Sequence, residues 1–448
     1  MNWKFYGSAA VCMLVMLGVF AGDYAMKDLK LNHPDGFYKN GEEVVVTGQV
    51  FKAGSPATRG KLRVVTKWEG KTVSTKEFPF DGKPFRITYK GTQPGWVYFG
   101  FMVIGADGKL IEVPGAKVTQ QVKKKLLAEI GAIYDQDKIR TTVEMPSDFK
   151  EYWKKVRADL DKVPFNAVLE KLDSKDPKVE LYALTVDAGG DRPVTGYLAY
   201  PAGAKPKSLA AYVNFLSWTK SDCSRYFAIS GAKKGLLALS TTWHGFPVNR
   251  SKSFYEKELK EKFNALSDID NRDKWSFRNV YLRVLRALDY IKSRPEWDGK
   301  MLVVQGGSLA GAQSAVAAAL DPQVTTAIIS VPCFCEFNGD LSGRRRSIPV
   351  SGFSVLKPEI RKALSYFDVV NMAALIRCEV FFATGFADEG CPPSNVLAAY
   401  NNLPASTRKS LSTSPVTGHY GTTVNVKANE RLKRFFRDVK VNAYTEKY

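Results

Sequence analysis

The chain has 448 residues, of which 45% are hydrophobic, 12% aromatic and 25% charged. That length is about three times the ~150 residues of one typical domain, so two or three domains are expected, and the composition excludes disordered, collagen-like and low-complexity chains. Lysine and arginine total 65 against 45 aspartates and glutamates, a net charge of +20; such a field favours polyanionic partners but has no bearing on fold.

Residues 1–22 read as a signal peptide. Lys4 supplies the positive start, Phe5 to Phe20 is uncharged and mostly apolar, and Val19 and Ala21 give the small-x-small pattern of a cleavage site. The apolar stretch is shorter than the ~20 residues needed to span a bilayer, so a secreted or periplasmic protein without a stable membrane anchor is expected. Cys12 lies inside the apolar stretch rather than at the cleavage point, which argues against a lipoprotein. Export argues against nucleic acid as the partner of the positive charge, and no basic helix, aromatic sheet signature or zinc-finger spacing supports that partner. The remaining cysteines, Cys223, Cys333, Cys335, Cys378 and Cys391, are odd in number and widely spaced; they form no disulfide framework, allow at most an isolated bridge, and read as buried structural thiols.

Residues 27–118 predict a small all-β unit, an immunoglobulin-like sandwich. Short alternating runs such as Glu43–Thr47 and Lys61–Val65 fall between turn pairs such as Asn40-Gly41 and Asp81-Gly82. Trp96 to Val103 reads as a strand entering a tight turn at Ala106-Asp107-Gly108. Nothing in this unit looks like a catalytic site.

From residue 125 to the end the pattern changes to alternating strands and helices, an α/β domain with a mostly parallel sheet. A helix starts near Ser147-Asp148 and runs through Leu160. Strands follow at 179–184, 194–200, 210–216 and 235–240. In the helix over 275–293, Val280, Val284, Leu288 and Ile291 share one stripe.

Met301 to Gln305 is a buried-strand run, followed by Gly306-Gly307-Ser308-Leu309-Ala310-Gly311 and an alanine-rich helix. Strand, glycine-flanked serine and helix are the setting of a nucleophile elbow, where small neighbours let a serine hydroxyl project from a strained turn. The backbone N–H of Leu309, at the start of the helix, points to where an oxyanion would form. Ala310 stands where the usual motif has its last glycine, with Gly311 one residue later. A serine nucleophile needs a base and an acid, in this fold in the chain order serine, acid, histidine. Of three histidines, His33, His244 and His419, only His419 follows Ser308, in the glycine-flanked loop Thr417 to Gly421. The acid should follow a late strand. Val380 to Gly385 gives that strand and Asp388 the carboxylate, with Glu389 beside it as the second choice.

The elbow GGSLAG, the run SYFDVVNMA (Ser365 to Ala373), FADEGCPPSNVLAAYNNL (Phe386 to Leu403) and the late Gly418-His419 pair resemble the acetyl xylan esterase/cephalosporin C deacetylase family. DKWSFRNVYLRVLRALDYI (Asp273 to Ile291) and the SDFKEYW helix are similar too, and the resemblance covers roughly residues 125 to 440. It implies an α/β-hydrolase domain with Ser308 as nucleophile, Asp388 as acid and His419 as base. The family elbow usually reads GGSQGG, so Leu309-Ala310 replaces Gln-Gly. Its first oxyanion loop, usually His-Gly-Tyr, corresponds to Leu216-Ser217-Trp218, which puts a second oxyanion donor at the Trp218 backbone. A family Arg-Gly-Gln loop falls near Trp243 to Phe246, which makes His244 a candidate pocket residue. The implied function is a secreted serine carboxylesterase that deacetylates carbohydrate through an acetyl-enzyme, with no metal or organic cofactor. The substrate is an acetylated oligo- or polysaccharide, an acidic one suiting the net charge, and a homo-oligomer is allowed. The alternatives are an α/β hydrolase for another acyl or peptide substrate, or a glycan-binding protein with a degenerate hydrolase domain.

Overall fold

The computed structural model describes residues 20–21, 23–112, 126–141 and 144–420. Most of the expected signal peptide therefore lies outside the described residues. Among the described residues, no helix is long and apolar enough to cross a membrane.

The first ten strands are β1 (Phe20–Ala21), β2 (Tyr24–Leu31), β3 (Phe37–Tyr38), β4 (Glu43–Lys52), β5 (Ser55–Pro56), β6 (Lys61–Trp68), β7 (Lys71–Pro79), β8 (Phe85–Lys90), β9 (Gly95–Ile104) and β10 (Leu126–Tyr134). They form two sheets, one in the order β1-β2-β4-β5 with β8 also on β4, the other in the order β3-β10-β9-β6-β7. Period-two alternation builds the core between them: Val44, Val46 and Val50 of β4 and Leu62 and Val64 of β6 point inward and are buried. β9 breaks the alternation because all ten of its residues are buried. Val97, Phe99, Phe101 and Val103 join the core between the sheets, while Trp96 and Tyr98 on the opposite face join the core of the α/β region.

β10 was expected to fall in the second region. It pairs instead with β9 along its length and, in parallel, with β3, so the N-terminal β region extends to residue 134. A short apolar strand looks the same in either setting; only its partner decides.

The α/β region contains α1 (Phe149–Asp161), β11 (Val168–Leu172), β12 (Val179–Val186), β13 (Val194–Pro201), β14 (Leu209–Phe215), α2 (Arg225–Lys233), β15 (Leu237–Thr241), α3 (Lys252–Lys262), α4 (Ser276–Ser293), β16 (Trp297–Gly307), α5 (Leu309–Leu320), β17 (Thr326–Ser330), α6 (Pro358–Ser365), α7 (Val369–Ala373), β18 (Glu379–Gly385), α8 (Pro393–Asn401) and β19 (Lys409–Ser414). Its sheet runs β11-β12-β13-β15-β14-β16-β17-β18-β19. β11, β12, β13 and β15 pair antiparallel, and every pairing from β15 to β19 is parallel. The mixed α/β fold with a large sheet was legible in the sequence; the antiparallel ribbon at one side was not.

Two features of this sheet position a site. The chain leaves β14 toward β15 on one side and returns through β16 on the other, so the order reverses between β14 and β16. Ligands of open α/β sheets bind at such a reversal, beyond the carboxyl ends of the strands. Helix α5, whose residues 309–318 are all buried, packs on β16 and β17; its alanines let the backbone approach the sheet closely. The five cysteines among the described residues are free thiols, four of them buried.

Candidate active site

Ser308 sits between the carboxyl end of β16 and the first turn of α5 with φ 58° and ψ −122°, a conformation that L-residues with a side chain rarely adopt. Three backbone bonds hold it there, Ser308 N–H to the Ser330 carbonyl (3.0 Å) and the N–H groups of Ala312 and Cys333 to the Ser308 carbonyl (both 3.1 Å). The turn accounts for its glycines. A Cβ on Gly306 would lie 2.3 Å from the Ala310 carbonyl oxygen, and one on Gly311 would lie 2.8 Å from that of Ser330. The essential small positions are thus 306 and 311, which is why alanine is accepted at 310. Leu309 is the first residue of α5, where a backbone N–H has no intrahelical acceptor and the helix dipole favours negative charge.

One strand away, β14 pairs with β16 in the register Asn214 to Gln305, so the Ser217–Trp218 segment leaves the sheet level with Ser308. Gln313 ties the two segments together, its side-chain amide donating to the Leu216 carbonyl at 2.9 Å. The Trp218 ring is half-buried against Trp243, Phe277 and Phe334, which fixes the course of its backbone. Gln313 escaped sequence reasoning because an amide on a buried helix face carries no pattern.

Asp388 follows β18 by three residues and is completely buried. One carboxylate oxygen accepts the backbone N–H groups of Gly390 (2.8 Å) and Cys391 (2.9 Å). The other faces His419 Nδ1 at 2.8 Å. With Nδ1 engaged, Nε2 is the nitrogen left for a hydroxyl. Burial disfavours the charged form of the His419 ring, but the adjacent Asp388 carboxylate more than offsets this and raises the imidazolium pKa above the ordinary histidine range. The acid and base loops are stitched together by Phe386 N–H to Ser414 O (2.8 Å) and Ala387 N–H to Thr417 O (3.0 Å).

Glu389, the second choice for the acid, points elsewhere: its carboxylate pairs with Lys67 of the N-terminal region at 2.5 Å. His244, expected as a pocket residue, is fully buried. Its Nδ1 accepts the Phe246 N–H at 3.1 Å and its Nε2 faces the Ser221 carbonyl at 3.0 Å. Burial pushes its pKa down to about 4, so it is a neutral ring that braces a loop.

Cys391 was read only as a structural thiol. Its sulfur and the donor atoms of Asp388 and His419 lie within 4.8 Å of one another, a spacing that a metal ion would accept. Burial raises the thiol pKa to about 12, so Cys391 adds no charge beside the ring at neutral pH. The thiolate that a metal would need is correspondingly disfavoured.

Residues 134–438 match the family model of acetyl xylan esterase (AXE1). The chain is 31% identical over 302 residues to acetyl esterase Axe7A of Xylanibacter ruminicola, covering 64% of this chain and 67% of that protein. An acetyl xylan esterase from Paenibacillus sp. R4 superposes with a TM-score of 0.58 at 23% identity, over 67% of this chain and 98% of its own. Acetyl xylan esterase 1 from Thermoanaerobacterium sp. gives a TM-score of 0.56 at 21% identity, over 67% and 97%. Sequence and fold together make this chain a carboxylic ester hydrolase. More narrowly, it belongs to the acetyl xylan esterase (AXE1) family, which supports a deacetylase activity.

Proposed function

We propose that this protein is an exported serine esterase that removes acetyl groups from an acetylated xylan or related carbohydrate through the triad Ser308, His419 and Asp388. The reading is carried by the strained Ser308 turn on the same carboxyl edge as the bonded Asp388–His419 pair. His419 Nε2 takes the proton of Ser308 as its oxygen bonds to the acetyl carbonyl carbon. The carbonyl oxygen becomes an oxyanion facing the Leu309 N–H and the Trp218 N–H. Collapse breaks the bond to the sugar oxygen, which receives the proton from His419. Water then gives a proton to His419 and attacks the acetyl-enzyme, and acetate leaves as Ser308 recovers its proton. Asp388 holds the ring in the tautomer with Nδ1 protonated and stabilises the imidazolium at each transfer.

The N-terminal β region belongs to this reading as an accessory immunoglobulin-like sandwich, and residues 1–22 as the export signal. The net charge of +20 suits an acidic glycan, whose turnover would then fall as salt rises. The test of the core reading is acetate release from p-nitrophenyl acetate and acetylated xylan by wild type and Ser308→Ala side by side. A loss of about 10³-fold or more in the variant is expected. Equal rates in both would overturn it.

A further inference from the structure

The acid and base loops do not rest on the α/β region alone. Among the described residues β19, which precedes His419, is the last strand of its sheet, with none beyond it. What lies there is one face of the N-terminal sheet. Register aligns Lys67 of β6 with Tyr98 of β9, and Tyr98 with Gly131 of β10; Trp96 and Glu129 stand two residues away on β9 and β10, and Glu69 lies in the turn just after β6.

Contacts from this face bracket Asp388 on both sides. Trp96 Nε1 donates to the Phe386 carbonyl at 2.7 Å, two residues before the acid. Lys67 pairs with Glu389 at 2.5 Å, one residue after it, with only 20% and 15% of the two side chains exposed. Glu69 accepts the Ser394 hydroxyl at 2.6 Å on one oxygen and the Trp96 N–H at 2.7 Å on the other, so a single buried carboxylate links β9 to the start of α8. The base loop is held likewise: Gly131 N–H donates to the Pro415 carbonyl at 2.9 Å. A Cβ on Gly418, next to His419, would lie 2.9 Å from a Glu129 oxygen, and the other Glu129 oxygen accepts the Tyr98 hydroxyl at 3.0 Å. Close fit at Gly131, where a Cβ would come within 1.9 Å of the Phe386 carbonyl oxygen, makes this a packed seam.

We propose that the N-terminal β region is part of the catalytic apparatus, with Lys67 and Trp96 as positioning residues that fix the Asp388 and His419 loops against Ser308. The proposal rests on the triad reading above. It goes beyond the family, whose model begins at residue 134 and leaves β6 and β9 outside it. Lys67 and Trp96 bond to Glu389 and Phe386 rather than to Ser308, Asp388 or His419; they act by setting loop geometry, where a displacement of about 1 Å is able to cost up to about 10²-fold in rate.

The experiment uses the full chain with Trp96→Phe, Lys67→Ala, Lys67→Arg and, as control, Arg63→Ala, which removes the Arg63–Glu77 pair four residues further back along β6. Steady-state kinetics on p-nitrophenyl acetate and melting temperature are read for each, beside Asp388→Asn. The expected result is a kcat about 10-fold lower in Trp96→Phe and Lys67→Ala with KM within about 2-fold, recovery of most of that loss in Lys67→Arg, and an unchanged Arg63→Ala. Unchanged kcat in folded Trp96→Phe and Lys67→Ala, with Asp388→Asn inactive, would overturn the positioning role and leave the triad standing. Full activity in Asp388→Asn would instead overturn the triad reading itself. A kcat loss shared by Arg63→Ala, or absent rescue by arginine with a lowered melting temperature, would reduce the contacts to general stability and likewise overturn the proposal.

Discussion

The turn that carries Ser308 and the loops that carry Asp388 and His419 are built in opposite ways. The serine turn is local. Its strand, its strained residue, its two essential glycines and its helix lie within residues 297–320, braced by the neighbouring strand through Ser330. The acid and base loops are assembled from distant pieces: the Asp388–His419 bond spans 31 residues, and the Lys67–Glu389 pair spans 322. A local device tolerates changes elsewhere in the chain, whereas an assembled one inherits the stability of every region it touches.

That contrast orders the expected effects of mutation. Ser308→Ala removes the proposed nucleophile and should lower kcat by about 10³-fold or more with the fold intact. Asp388→Asn should lower kcat/KM by about 10³-fold or more and also move the pH profile. In the proposed triad catalysis needs neutral His419. Because the carboxylate raises its pKa, the rising limb of kcat/KM in wild type should lie above the ordinary histidine value of 6.5. Without the counter-charge the largest raising influence is gone while burial still lowers the value, so the limb of any residual activity should move to lower pH. A limb unmoved by the substitution would break the pairing.

Gly306→Ala tests the local device, since its Cβ would lie 2.3 Å from the Ala310 oxygen. A destabilisation of about 1–3 kcal/mol in urea unfolding is expected, together with a large loss of kcat as the serine turn shifts. Next come Lys67→Ala and Trp96→Phe, at about 10-fold in kcat. The smallest effect on turnover is expected from His244→Ala: kcat within about 2-fold, but stability lower by about 3 kcal/mol, because one buried and one part-buried backbone group lose their partner.

The same contrast separates what was legible in the sequence from what was not. Ser308 announces itself because its whole environment is contiguous. His419 was reachable because only three histidines occur and one stands in the required order. Asp388 followed from a recognisable apolar strand three residues earlier. The α/β alternation was equally visible, because the strands at 301–305 and 380–385 and the stripe of α4 are local patterns. Pairing between regions left no such trace. Lys67 sits on a strand whose alternation reports only burial, and nothing in the sequence ties it to Glu389. The unbroken burial of β9 was present as an apolar run, yet a run alone does not say that one face serves a second core. For β10 neither the strand nor its partner was read from the sequence, and the boundary moved accordingly.

The most direct test of the central claim is to trap the covalent intermediate. Rapid acid quench of wild type turning over p-nitrophenyl acetate, followed by mass analysis of its peptides, should show an acetyl group on the peptide containing Ser308 and none in Ser308→Ala. Turnover with no acetylated peptide at any quench time, or the acetyl group on another residue, would contradict the account.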